Sequence, residues 1–285
     1  MNLGSRLRTV YNPRGWIRPL LHPAVLHLGR LWYSPEYRFL QRLHGLSQRA
    51  PRYRPGQTTF DGRIIRYADA ASFTSAWDEI FVNRIYDIDE PAGEECYFVD
   101  AGSNIGLAVL YWTLRYPRAH GVACEPDPSS CGLLRENVAG WQARFDILET
   151  AVGARDGIAS FAVEGGDAGH LAEAPAAAGT LQVAVRRLSP LLDRPVSLLK
   201  IDIEGAEYEV LEEICGSFGN VRRIFVECHS YPDRPQHYGA RLQLLREAGF
   251  RCQAHATSQH PQPFHPPAIR AAKMDFSLNV FGTRF

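Results

Sequence analysis

The 285-residue sequence predicts an α/β fold, in which a mostly parallel sheet is covered by crossover helices. Two observations carry this. From Cys96 onward, short apolar runs alternate with segments of helical period, the pattern of strand, helix, strand. Several of the runs also end in a carboxylate beside a glycine or proline, where a parallel sheet presents its carboxyl edge to a ligand.

Taken in order, the first 93 residues are irregular: Pro13, Pro19, Pro23, Pro35, Pro51 and Pro55 leave room only for short helices between breaks. Residues 1–72 are therefore expected to be a mainly helical extension, with a second domain over 73–285. Trp77, Ile80, Phe81 and Ile85 recur at helical spacing and predict a helix from Ser75 to Ile85 that packs on the following domain. The α/β rhythm then runs through CYFVDA, IGLAVLYWTLRY, HGVACE, PSSCGLLRENVAG and FDILETAV. Two hairpin strands, IASFAV and LQVAVRRL, flank a Gly/Ala-rich loop from Gly165 to Gly179, expected to be mobile. The rhythm resumes with VSLLKID, AEYEVLEEIC, RRIFVECH, a helix near Tyr238 to Ala248, and strands near Phe250 to Ala256 and Ser277 to Gly282.

The six cysteines (Cys96, Cys124, Cys131, Cys215, Cys228 and Cys252) form no C-x-x-C pair and are read as reduced thiols packing as small hydrophobes. No apolar stretch reaches the roughly 18–20 residues that span a bilayer, and a cytoplasmic location is expected. The formal net charge is zero, yet residues 1–60 carry ten arginines (Arg6, Arg8, Arg14, Arg18, Arg30, Arg38, Arg42, Arg49, Arg52, Arg54) against one acid, Glu36. Only Lys200 and Lys273 are lysines. The basic arm, with Trp16, Trp32, Tyr33 and Tyr37, reads first as a solvated face docked on the protein's own acidic domain, although such a segment is also able to touch an anionic membrane surface, an acidic substrate or a nucleic acid, of which the membrane contact is retained. No nucleic-acid partner is expected.

The clearest chemical signal is Val99-Asp100-Ala101-Gly102-Ser103-Asn104-Ile105-Gly106, where a buried strand ends and a helix begins. Glycine there lets backbone approach a ligand, and the helix start offers unpaired N–H groups. The spacing is G-x-x-x-G, so the dinucleotide fingerprint is not met. Asp100 disfavours a pyrophosphate and favours an amino-bearing ligand. Nineteen residues past Gly106 the next strand ends in Glu125-Pro126-Asp127. A carboxylate there can accept both hydroxyls of a ribose. Together the two point to an adenosine-containing cofactor. Glu149 to Gly153 is expected to close the third strand, with Ala151 and Val152 against the adenine.

The densest constellation is Lys200-Ile201-Asp202-Ile203-Glu204-Gly205-Ala206-Glu207. Asp202 and Glu204 leave a buried strand at a spacing of two, and paired carboxylates at a sheet edge are costly unless they meet a cation, a metal or a substrate proton. Glu207 sits at a helix start, where the dipole alone favours an acid. The next strand ends in Glu227-Cys228-His229, with Glu227 and His229 on one face. His229 is the titratable group nearest neutral pH. The other nine histidines, His260 and His265 included, show no metal spacing.

These segments resemble the FkbM family of S-adenosylmethionine-dependent methyltransferases. The resemblance runs from about Phe73 to the C-terminus through Glu79, Ile80, Phe81 and Tyr86, the Asp100–Gly106 turn, Glu125-Pro126, Ala151-Val152-Gly153, the specific Lys200–Glu207 run, and Glu227-Cys228-His229. It implies a Rossmann-like class I methyltransferase fold, with a seven-stranded mostly parallel sheet and an antiparallel last strand at Ser277 to Gly282. It also implies that Asp100, Gly102, Ser103, Asn104 and Gly106 wrap the methionine end while Glu125 and Pro126 hold the ribose. The basic arm has no counterpart in the family pattern.

The implied activity is methylation of a hydroxyl on a saccharide or other small natural-product molecule. Asp202, Glu204, Glu227 and His229 are the candidate catalytic residues: His229 or one of the carboxylates takes the hydroxyl proton, and the acids, Asp202 among them, also anchor the substrate or the cofactor's amino group. A divalent cation such as Mg2+ on these carboxylates is compatible with the sequence but not required by it. Two alternatives remain: an NAD-dependent oxidoreductase, disfavoured by Asp100 and the glycine spacing, and a non-catalytic binding or scaffold protein that grips a membrane or polyanion through the basic arm.

Overall fold

The computed structural model describes residues 23–91, 93–139, 141, 143–165, 168–171, 180–232, 234–259, 264, 274 and 276–285. Trp16 and the arginines before residue 23, most of the Gly165–Gly179 loop, and His260 and His265 lie outside them. The chain divides into two compact units, with the boundary between Asp87 and Ile88.

In the first unit, α1 (Pro23–Tyr33) and α2 (Pro35–Ser47) precede a hairpin of β1 (Gly56–Phe60) and β2 (Arg63–Tyr67), followed by α3 (Ala70–Trp77), which continues as a π-helical turn over Asp78–Val82. Local chemistry sets these ends. Ser34 Oγ accepts the Tyr37 N–H at 3.0 Å to cap α2, and Asp69 accepts the Ser72 N–H at 3.0 Å to cap α3. Asp61 and Gly62 both take positive φ (48° and 73°), as a two-residue Asp-Gly hairpin demands.

Trp77 is fully buried, stacked on Phe81 with centroids 3.9 Å apart and edge-on to Phe39 and Phe60. Its indole N–H donates to the Glu36 carbonyl at 3.1 Å. Phe73, Trp77 and Phe81 thus pack with Phe39 and Phe60 inside the first unit, which runs to Asp87. The unit contains a hairpin as well as helices.

The second unit runs β3 (Cys96–Ala101), α4 (Leu107–Arg115), β4 (Ala119–Cys124), α5 (Pro128–Ala139), β5 (Phe145–Leu148), β6 (Ala151–Val152), β7 (Gly157–Gly165), β8 (Ala168–Leu171), β9 (Thr180–Arg186), β10 (Leu198–Ile201), α6 (Glu207–Glu213), β11 (Arg223–Ser230), α7 (Tyr238–Glu247), β12 (Arg251–Gln259) and β13 (Phe276–Thr283). Seven strands form the main sheet in the order β12-β13-β11-β10-β3-β4-β5. β3, β4, β5, β10 and β11 pair in parallel, whereas β13 is antiparallel to both its neighbours. This is the Rossmann-like class I methyltransferase topology. Val99, Ala101, Leu199, Ile201, Val226 and Val280 form part of one core beneath it.

The chain moves outward one way from β3 through β4 to β5, and the other way from β10 to β11. β3 and β10 therefore flank a topological switch point, the position at which open α/β sheets receive ligands at the carboxyl ends of their strands.

The third strand is shorter than expected. It ends at Leu148, and Ala151–Val152 instead pairs with β9 in a second sheet of order β6-β9-β7-β8. The Thr150 hydroxyl, bonded to the Ala184 carbonyl at 2.9 Å, ties the chain to that sheet. The expected hairpin pairing of β7 with β9 is present, and β8 adds a strand within the segment expected to be loop. Cys96, Cys124, Cys131 and Cys228 are buried thiols, while Cys215 and Cys252 are exposed. Among the described residues no helix is long and apolar enough to cross a membrane.

Candidate active site

At the switch point the residues after β3 form a tight cradle. Gly102 has φ +83°, and a Cβ there would lie 1.7 Å from the Asp202 carbonyl oxygen, so only glycine permits this approach of the two strand ends. Gly106 has φ +85°, and a Cβ there would meet Leu134 at 2.4 Å, which lets α4 start close against α5. The N–H groups of Gly102 and Ser103 both donate to the Cys124 carbonyl, at 3.0 and 2.9 Å. Glu125, at the end of β4, accepts the Asn104 N–H at 2.7 Å and the Asp127 N–H at 2.9 Å. Burial pushes the Glu125 carboxyl up to about 7, against the pull of those two backbone donors.

Asp100 is fully buried. It pairs in register with Lys200 on the neighbouring parallel strand, so both side chains project from the same face. Lys200 Nζ lies 3.2 Å from Asp100 Oδ1 and 3.4 Å from Asp202 Oδ2, and it donates to the Gly102 carbonyl at 2.7 Å. Burial opposes the charge on Lys200, but Asp100 and Asp202 outweigh it and raise its pKa. Among the described residues, neither Asp100 oxygen has a hydrogen-bond partner beyond this ion pair, and neither does Asn104 Oδ1. Three buried acceptor atoms thus stand with capacity left beside the glycine turn.

The second half of the site adjoins the first through Asp202. Glu204 has φ +57°, a costly backbone state for a non-glycine residue and one that collects at functional sites. On β11 Glu227 and His229 share a face, while Cys228 packs into the core. His229 Nδ1 lies 2.8 Å from Glu207 Oε1, and its Nε2 faces Glu204 Oε2 at 3.4 Å and Glu227 Oε1 at 3.9 Å. Glu207, fully buried, also accepts the Gly205 N–H at 2.7 Å and Arg241 Nη2 at 3.2 Å. Glu227 accepts the Ser277 hydroxyl at 2.9 Å.

Burial works against an imidazolium at His229, yet the bond to Glu207 and the charges of Glu207, Glu204 and Asp202 prevail and raise it to about 10. It therefore holds its proton through neutral pH. The ring is thus an ion-pair partner of these carboxylates rather than the neutral imidazole that the sequence alone suggests.

Of the predicted residues, Asp100 and Asp202 thus meet through Lys200 beside the Gly102 carbonyl, while Asp202, Glu227 and His229 bring one atom each within 4.8 Å of one another and Glu204 faces His229. Ala151 and Val152 are not part of this set. Both are buried in the second sheet, and Val152 belongs to the hydrophobic core. Three contributors were not assigned a role from sequence. Lys200 was legible in principle, since a lysine in a buried strand two residues before an acid needs a partner on the same face. Glu207 read equally well as a helix-start acid. Arg241, on α7, carries no local signal, and only the fold brings it to Glu207.

Residues 100–252 match the family described as Methyltransferase FkbM domain. The chain is 30% identical over 206 residues to Methyltransferase 1 of Beauveria bassiana (strain ARSEF 2860), covering 60% of this chain and 78% of that protein. It is 24% identical over 229 residues to the 31-O-demethyl-FK506 methyltransferase FkbM of Streptomyces tacrolimicus, covering 67% and 86%. Among solved structures it is similar to Methyltransferase FkbM from Methylobacillus flagellatus KT, at 13% identity and TM-score 0.43, covering 87% of this chain and 60% of that one. It is also similar to M. jannaschii TYW2 in complex with AdoMet, at 10% identity and TM-score 0.44, covering 83% and 89%. With more than half of its length matched by the family model, the chain belongs to the FkbM methyltransferases.

Proposed function

We propose that this chain is an S-adenosylmethionine-dependent O-methyltransferase acting on a hydroxyl of a small saccharide or natural-product acceptor. The observation that carries the cofactor assignment is the cradle at the switch point: buried, incompletely satisfied acceptors on Asp100 and Asn104 beside a glycine turn, with the Glu125 carboxylate across from them. A ligand bearing an ammonium and ribose hydroxyls suits that donor-poor pocket. Asp100 and Asn104 would bind the methionine end, Glu125 the ribose, and Lys200 fixes the turn through the Gly102 carbonyl. When bound, S-adenosylmethionine supplies an electrophilic methyl group on a positively charged sulfur, which leaves as a neutral thioether.

The acceptor end falls to the acidic rim. Asp202, Glu204 and Glu227 are each about a quarter exposed and offer hydrogen-bond acceptors to a hydroxylated molecule. Glu204 accepts the proton that the acceptor oxygen loses, a role supported by its strained backbone and its place beside His229. His229, tied to Glu207, keeps its orientation and holds the acids at a fixed spacing. A relative that methylates an oxygen, as the name of the Streptomyces protein states, supports oxygen as the acceptor atom.

Calorimetric titration with S-adenosylmethionine, S-adenosylhomocysteine and NAD tests the cofactor assignment. Binding of the first two with no heat from NAD is expected, and Asp100→Asn weakens both. Binding of NAD alone would select an oxidoreductase, and no binding of any would remove the enzymatic reading.

A further inference from the structure

Asp202, just past β10, and Glu227 and His229 on β11 each offer one ligand atom, and the three atoms lie within 4.8 Å of one another. Carboxylates alone would be a weak indication, but the imidazole adds an independent one. His229 is 6% exposed, and its Nδ1 is taken by Glu207 at 2.8 Å. Nε2 is therefore the atom aimed at the carboxylates. A buried carboxylate that fixes one ring nitrogen while the other points into a set of acids is the outer arrangement that orients a metal-bound histidine.

The other two residues are oriented as well. Ser277 holds Glu227 at 2.9 Å, and Lys200 lies 3.4 Å from Asp202 Oδ2. Charge points the same way. Asp100, Asp202, Glu204, Glu207 and Glu227 gather around three positive side chains, Lys200, Arg241 and the protonated His229, so five acids face three cations, and a metal ion that replaces the His229 proton relieves the remainder. The partial exposure of Asp202 and Glu227 leaves an entry path and coordination positions open to solvent or substrate.

We propose that Asp202, Glu227 and His229 Nε2 bind one divalent cation of the Mg2+/Mn2+ class, oriented by Glu207 and open on the side where the acceptor hydroxyl arrives. Nε2 surrenders its proton to solvent as the cation enters. A cation held there would lower the pKa of a hydroxyl bound beside it, and Glu204 would be placed to take the proton. The mixed nitrogen and oxygen set favours Mn2+ over Ca2+. This role for the cation rests on the O-methylation reading, whereas its binding does not.

The test is therefore run without cofactor. Mn2+ is titrated into the untagged full chain and followed by the loss of the free-ion electron paramagnetic resonance signal. One Mn2+ per chain is expected. Glu207→Gln should weaken it roughly 10–100-fold, Glu227→Gln and Asp202→Asn at least as much, and Glu247→Gln on the exposed face of α7 not at all. Circular dichroism shows which variants fold, and either Asp202→Asn or Glu227→Gln suffices if the buried Glu207→Gln does not. No binding at millimolar Mn2+, or unchanged binding in a folded Glu227→Gln or Asp202→Asn, would overturn the metal site. A separate S-adenosylmethionine titration that still succeeds would leave the cofactor assignment standing.

Discussion

Replacing Lys200 by Met removes the cation that neutralises the fully buried Asp100. Methionine fills a similar volume, so the cost is electrostatic: Asp100 is left to carry an uncompensated buried charge or to take up a proton, and the Gly102 carbonyl loses its 2.7 Å donor. Breaking a buried pair from one side costs about 3–5 kcal/mol. For a unit of this size that lowers Tm by roughly 6–20 °C, at about 2–4 °C per kcal/mol. Urea denaturation of Lys200→Met, Asp100→Asn and the double variant measures it. The double variant should recover most of the loss, since neither charge then remains alone. A single-variant loss below about 1 kcal/mol, or purely additive effects, would refute the coupling of β3 to β10 through this pair.

Four further outcomes follow from the geometry. Trp77→Ala empties the centre of the first unit's aromatic cluster and should destabilise it by about 3–5 kcal/mol, read by thermal melting. Gly102→Ala sets a Cβ against the Asp202 carbonyl and should abolish S-adenosylmethionine binding in calorimetry, whereas retained affinity would show that the strand ends separate cheaply. Glu125 links pH to both stability and binding. Its folded pKa is raised from 4.5 to about 7, so between those values the folded state holds a proton that the unfolded state has released, and its contribution to stability declines as pH rises through that window. A ribose needs the carboxylate, so cofactor affinity should rise by up to roughly tenfold per pH unit below about 7 and then level off. Glu125→Gln should flatten that profile. Asp202→Asn should abolish turnover, and full retained activity would exclude Asp202 from the site.

Much of the second unit was legible because its strands are buried on both faces. CYFVDA, HGVAC, VSLLKID and RRIFVECH stand out as apolar runs ending in acids, and the glycine turn follows from the steric needs of a strand leading into a helix. The failures have physical causes. β6 is two residues long, and its partner β9 lies about thirty residues further on, so no local period distinguishes it from a continuation of β5. The β1–β2 hairpin was signalled by Asp61-Gly62, but its strands are only partly buried and carry no apolar run longer than Ile64-Ile65. At the site, acids at strand ends were visible, whereas their partners were not. Arg241 reaches Glu207 from 34 residues away, and the elevated His229 pKa comes from three carboxylates that only the folded chain assembles.

The most direct measurement is transfer of a labelled methyl group from S-adenosylmethionine to a panel of hydroxylated acceptors, with the label located in the product and Glu204→Gln run in parallel. Label should appear on oxygen. Glu204→Gln should bind S-adenosylmethionine with unchanged Kd but turn over roughly 10²–10⁴ times more slowly, the usual contribution of a positioned base. Label on nitrogen, or full turnover by Glu204→Gln, would contradict proton removal by Glu204 from an acceptor hydroxyl at this sheet edge.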